Sequence, residues 1–149
     1  MSPNKKNENM GGVFAPEFIF VDQVKSTFIE QITASMYVVC TDKWIPFPEG
    51  KTEISVQPYA DVLYDVNCTI KIPRTNITDE FRLLIEQMKM RTVIIRYKQS
   101  DGLYRVIGSK QNALSLIIED SAPQVTSFNG SILTFSGLQP HQQLMYKFI

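Results

Sequence analysis

The sequence predicts a mainly β fold (α+β), an antiparallel β-sandwich or barrel of about eight strands with one packed α-helix. Three observations predict it. Residues 62–72 alternate between apolar and polar side chains, residues 92–110 have the pattern of two strands around a tight turn, and clear helical periodicity is confined to residues 78–90. Strands and helices do not alternate along the chain, so a parallel sheet is not expected.

The chain of 149 residues is long enough to bury one hydrophobic core. Residues 1–12 are polar, end in Gly-Gly and lack periodicity, which predicts an N-terminal arm outside the core. Residues 13–149 are expected to form a single β-rich domain.

In the first half of this domain, runs of apolar and β-branched residues predict short strands at residues 18–21, 34–41 and 53–57. Prolines and a glycine predict a loop at residues 42–51. Residues 22–33 are ambiguous. Val24, Phe28 and Ile32 recur every four residues as on a helical face, whereas the threonines and isoleucines favour a strand.

Residues 62–72 form the clearest strand, with one apolar face that comprises Val62, Tyr64, Val66, Cys68, Ile70 and Ile72. The helix at residues 78–90 follows, with Thr78 as its N-cap and acidic residues in its first turn. Its apolar stripe, which should pack on a sheet, consists of Phe81, Leu84, Ile85 and Met88.

The next predicted element is a hairpin, in which Val93–Lys98 and Leu103–Ile107 flank a turn. Asp101 and Gly102 are suited to the positive φ angles of such a turn. The hairpin either completes the sheet of its own subunit or serves as an assembly element. Further strands are predicted at residues 114–118, 131–136 and 144–149, with a polar loop at 119–130.

Composition argues against several functional classes. Lys plus Arg equals Asp plus Glu, so there is no excess positive charge to attract nucleic acid or an anionic membrane. No apolar run approaches the ~20 residues of a membrane span, and a signal peptide is not expected. Cys40 and Cys68 fall at inward-facing strand positions. This predicts buried free thiols in a reducing setting, or a disulfide if the strands are neighbours.

The sequence contains no motif of a common catalytic or metal site. His141 is the single histidine, and no nucleophile-elbow, dinucleotide or P-loop signature occurs. We therefore expect no enzyme activity, cofactor, metal or small-molecule substrate. Arg96 and Lys98 alternate with apolar neighbours, as on a solvated strand face. Aromatic residues available for an oligonucleotide-binding barrel are Tyr37, Trp44, Phe47, Tyr59, Tyr97 and Tyr104.

Several segments, taken in order, resemble a known group of proteins. They are the Trp-Ile-Pro segment at residues 44–46, "IKIPR", the short helix, "VIIRYKQSDGLYRVIGSKQNALSL", "FNGSILTFSG" and "HQQLMYKFI". Together they resemble small structural proteins of tailed phages and prophages of gut Bacteroidales, including crAss-like phages. The resemblance covers residues 37–149 and departs at Ala113-Leu114, where Pro-Leu is expected.

The resemblance implies a virion structural protein, a head–tail connector or tail ring subunit made in the host cytoplasm. Implied partners are further copies in a ring and other neck or tail proteins. The genome would pass through without sequence-specific binding, and no membrane is involved. Alternatives are a bacterial β-sandwich interaction or adhesion module and an oligonucleotide-binding barrel. Expected interface residues are Met1, Asn4, Lys5, Lys6, Met10, Ser100, Asp101, Gly102, Ser127, Phe128, Leu144, Tyr146, Phe148 and Ile149.

Overall fold

The computed structural model describes residues 12–60, 62–117 and 130–148, which form two β-sheets and one α-helix. The predicted mainly β sandwich with one helix is confirmed. In chain order the elements are β1 Phe14–Phe20, β2 Val24–Glu30, β3 Ser35–Cys40, β4 Ile45–Pro46, β5 Lys51–Ala60, β6 Leu63–Pro73, α1 Asp79–Met88, β7 Val93–Lys98, β8 Tyr104–Ile107, β9 Ser115–Ile117, β10 Gly130–Gln139 and β11 Leu144–Lys147.

The described part of the chain has eleven strands instead of about eight. Residues 24–30 are a strand, which settles the ambiguous segment, and the proline-containing loop holds the two-residue β4. The four-residue spacing of Val24, Phe28 and Ile32 does not correspond to one buried face. Val24 is buried, whereas Phe28 and Ile32 are exposed.

The larger sheet has seven strands in the order β2-β3-β11-β8-β7-β1-β4. Its pairs are antiparallel, as predicted, except that β11 runs parallel to β3. The C-terminal strand therefore lies inside this sheet, between β3 and β8. The hairpin of β7 and β8 also lies in the middle of the sheet, so its strands complete their own subunit and only the turn is exposed.

The smaller sheet has four antiparallel strands in the order β5-β6-β10-β9. The main core lies between the two sheets, and β6 contributes Val66, Cys68, Ile70 and Ile72, all fully buried. The predicted alternation of buried apolar and more exposed polar side chains is confirmed over residues 66–72 of β6. Val62 is the exception, because it precedes the strand and is exposed.

Helix α1 packs against this core through the predicted stripe. Phe81 and Met88 are buried, and Leu84 and Ile85 are partly buried against the same cluster. The Thr78 hydroxyl accepts a hydrogen bond from the Phe81 amide at 3.1 Å, as expected of an N-cap.

A second, smaller core covers the opposite face of the seven-stranded sheet. It contains Ile19, Val24, Met36, Val38, Ile94, Val106 and Leu144. Only three residues join β1 to β2, although these strands are sixth and first in the strand order, so the sheet must curl around this core. The Val21 amide donates to the Thr92 carbonyl at 2.9 Å, and the Thr41 amide donates to the Gln23 carbonyl at 2.8 Å. The chain thus turns a sharp corner between β1 and β2, and both faces of the sheet are buried over part of their area.

Both cysteines are free thiols. Cys68 is fully buried in the main core, and Cys40 is partly buried beside the second core. Burial raises the pKa of the Cys68 thiol to about 12. Because both thiols are free, this structure does not contain the alternative disulfide between Cys40 and Cys68.

Candidate interaction surface

Three chain segments that are distant in sequence meet at one end of the seven-stranded sheet. The start of β1 lies against the β7–β8 turn, because a methyl group added at Gly12 would lie 3.4 Å from the Ser100 Cβ. Lys98 pairs across the sheet with Phe14 on one side and Tyr104 on the other. The rings of Tyr104 and Phe148 are 5.5 Å apart. The described end of the arm, the hairpin turn and the C-terminal segment therefore lie close together.

We call this region the aromatic–cation surface and define it by residues on the sheet face that also carries the second core. Cross-strand partners share a face of a sheet, and side chains alternate along each strand. Phe14 and Phe148 are the most exposed members, at 52% and 61%. The full set is Phe14, Glu17, Trp44, Arg96, Lys98, Tyr104, Tyr146 and Phe148.

Arg96 is the centre of this surface. Its guanidinium carbon lies 4.7 to 5.6 Å from the ring centroids of Trp44, Tyr104, Tyr146 and Phe148. Its Nε also donates to the Glu17 Oε1 at 2.5 Å. The Arg96 and Glu17 side chains are only 13% and 21% exposed. The interpretation of Arg96 as part of a solvated strand face is therefore wrong, because its cross-strand neighbour is a carboxylate and four rings surround it.

The four rings also pack on one another. The ring centroid of Tyr146 lies 5.6 Å from that of Trp44 and 4.9 Å from that of Phe148. Both pairs are edge-to-face, which is an arrangement that aromatic quadrupoles favour. Lys98 is a second cation in this surface, and its Nζ lies 5.0 Å from the ring centroid of Tyr104. Aromatic residues and arginine are the side chains most enriched at interface hot spots. The composition of this surface therefore resembles that of interface hot spots.

The hairpin turn borders the same surface and contains several local hydrogen bonds. Ser100, Asp101 and Gly102 are exposed, and their role as interface residues stays a prediction. Gly102 has φ +80°, and its amide donates to the Gln99 carbonyl at 2.8 Å. Asp101 is held by both terminal nitrogens of Arg105 and by the Leu103 amide. The hydrogen bond from Arg105 is the main reason why the pKa of Asp101 is lowered to about 2.

The other expected interface residues divide into three groups. Tyr146 and Phe148 belong to the aromatic–cation surface. Leu144 does not, because it faces the second core and is 6% exposed, so its selection as a contact residue is corrected. The remaining ones lie outside the described residues: Met1, Asn4, Lys5, Lys6, Met10, Ser127, Phe128 and Ile149.

Six residues of this surface were not among the expected interface residues: Phe14, Glu17, Trp44, Arg96, Lys98 and Tyr104. Glu17 and Arg96 are 79 positions apart in the chain, so no local pattern links them. Trp44 is the single tryptophan, and its position in a proline-containing loop was the one available signal. The six aromatic residues considered for oligonucleotide binding do not form a platform, since Phe47 and Tyr97 are buried in the main core.

The described residues also bear on other classes of site. No group of three or more His, Cys, Asp or Glu side chains among them is arranged to hold a metal ion. None of their helices is long and apolar enough to cross a membrane.

Comparison with protein-family models, with curated proteins and with solved structures finds no match for this chain.

Proposed function

We propose that this chain is a virion structural protein of a tailed phage, a head–tail connector or tail ring subunit that self-assembles around the DNA channel and joins neighbouring tail proteins. The phage context comes from the resemblance of its strand and turn segments to phage proteins. The proposal places the protein in the neck or tail of the virion.

The observation that carries the assembly role is the aromatic–cation surface. It combines exposed phenylalanines with partly buried tyrosines, a tryptophan and an arginine, the composition typical of the centre of a protein interface. It also lies where the chain enters β1 and leaves β11. Arms and terminal segments are the parts of a subunit that can most easily reach a neighbour.

Self-assembly is tested by mass photometry and negative-stain microscopy of the purified protein across a concentration series. Closed rings or tubes are expected, because a head-to-tail interface generates either rings or open helical assemblies. A monomer at all concentrations, both alone and with the products of neighbouring genes, would overturn the proposal. Neighbouring genes for portal or capsid proteins would support the phage context independently.

Deletion of residues 1–12 separates assembly from folding. We expect the melting temperature to stay unchanged and ring formation to be impaired. A large fall in melting temperature would show that this segment belongs to the core.

A further inference from the structure

We propose that the outer face of the smaller sheet is a contact between two copies of this chain, which stack face to face about a two-fold axis. The outer face is the side of the sheet that is turned away from the main core. On β6 it carries Asp65, Asn67, Thr69 and Lys71, which alternate with the buried residues of that strand. The inference is separate from the proposed function, because it requires two copies but no ring.

The outer face has small polar side chains in its middle and an exposed apolar side chain towards each end. In the ladder between β6 and β10, Lys71 pairs with Ile132 and Asp65 pairs with Leu138. Ile132 is 53% exposed and Leu138 is 39% exposed. Between these two rows, both strands present only asparagine, threonine and serine on this face. Small side chains allow a second sheet to approach to the usual spacing of about 10 Å.

Asp65 and Lys71 are the charges at the two ends of this face on β6. Both are partly exposed, and neither forms an ion pair with another described residue. Lys71 also lies directly across the sheet from Lys51, which is 3.8 Å from its own partner Glu53. Like charges in such cross-strand positions repel each other. A carboxylate supplied from outside the subunit therefore finds a favourable position beside Lys71.

One symmetry operation brings the charged and apolar groups of this face into complementary pairs. A two-fold axis across the strands, at the middle of residues 65–71, reverses the strand direction and places β6 over β6 of the second copy. Asp65 then lies opposite Lys71 of the second copy, and the reciprocal contact forms as well. Because Leu138 and Ile132 are their cross-strand neighbours, these two side chains also meet across the contact. An axis parallel to the strands would instead place Lys71 against Lys71.

The dimensions of the outer face indicate how strong the contact is. Four strands about 4.8 Å apart and the seven residues 65–71 at about 3.3 Å each give a face of about 19 by 23 Å. The two copies together therefore cover about 900 Å², which is less than the ~1,200 Å² at the lower end of standard interfaces. We expect a weak dimer, which dissociates further as salt screens the two ion pairs.

A zero-length cross-link tests the contact directly. A carbodiimide joins a carboxylate to an amine as an amide, with loss of water, where the two groups touch. Asp65 and Lys71 of one copy are six positions apart on one strand, about 20 Å, so this amide can form only between copies. Mass spectrometry of a mixture of unlabelled and heavy-isotope-labelled protein should detect the Asp65–Lys71 product with one peptide of each kind.

Charge exchange tests the symmetry of the contact. Lys71→Glu and Asp65→Lys should each raise the dimer dissociation constant by at least about tenfold in sedimentation velocity, because each creates two like-charge pairs. An equimolar mixture of the two variants should dimerise like the wild type, and so should the double variant, because both restore opposite charges. Lys25→Glu, which changes an exposed lysine on β2 of the larger sheet, is the matched control and should have no effect.

Melting temperatures check that each variant folds. The contact is wrong if the wild type gives no Asp65–Lys71 cross-link at about 1 mM, where even a weak dimer is populated. It is also wrong if the single variants dimerise like the wild type, or if the folded double variant does not dimerise. None of these results bears on ring formation, which is measured separately. A cross-linked dimer in a protein that never forms rings supports the contact and counts against the proposed function.

Discussion

Replacement of Arg96 by methionine tests whether this side chain is enclosed or solvated. Methionine keeps an apolar stem and removes the guanidinium, so Glu17 loses its partner. A hydrogen bond to a charged group contributes about 1.5–3 kcal/mol net, and a desolvated cation–π contact contributes about 0.5–2 kcal/mol. Since the Arg96 side chain is only 13% exposed, solvent screening is small. We expect the free energy of unfolding to fall by about 2–4 kcal/mol.

The measurement is urea unfolding followed by far-ultraviolet circular dichroism, with equal m values required for the variants compared. Arg82→Met is the matched control, because Arg82 is exposed on α1 and its loss should change stability by less than about 0.5 kcal/mol.

A double-mutant cycle with Glu17→Gln isolates the pair. Because the two side chains form one contact, the double variant should lose about 1–2 kcal/mol less than the sum of the single variants. If Arg96→Met lowers the free energy of unfolding no more than Arg82→Met does, Arg96 is not enclosed by Glu17 and the rings. Its interpretation as part of a solvated strand face would then be correct.

Three further predictions follow from local geometry. Gly50→Ala should lower the unfolding free energy by about 1–3 kcal/mol in urea titrations, since the added Cβ would collide with the Lys71 carbonyl oxygen of β6; wild-type stability would contradict the close approach. The Asp101 carboxyl should titrate near pH 2 by NMR, and its pKa should rise in Arg105→Ala while staying below the ordinary 3.8, because the Leu103 amide still donates to it. Because folding lowers this pKa, its stabilising contribution is present above about pH 4 and is lost as the pH falls towards 2; an unshifted midpoint would contradict the ion pair. Thiol reagents should modify Cys40 in the native protein and Cys68 only after unfolding, because burial raises the pKa of Cys68 to about 12; equal native rates would contradict its burial.

Several elements could be predicted because their signals are local. The alternation of residues 63–72 follows from the period of two in a strand, and the helix at residues 79–88 follows from the Thr78 cap and its apolar stripe. Gly102 marks the hairpin turn because a positive φ costs glycine little. Each of these patterns requires only neighbours within about one turn or one strand.

Other features depend on contacts between distant segments. β11 pairs with β3 about 110 positions earlier, which brings Leu144 into the second core, whereas Phe148 lies beyond the last residue of the strand and is exposed. The enclosure of Arg96 depends in the same way on Glu17 and on rings from three other parts of the chain.

The amino-acid sequence by itself determined the fold class, the single helix, the tight hairpin turn and most strands, because backbone periodicity and turn chemistry act over a few residues. Tertiary structure alone decided which strands became neighbours, which face of the larger sheet acquired a second core, and where Arg96 and Lys98 point. Those outcomes depend on the summed free energy of many long-range contacts, which no short stretch of sequence expresses.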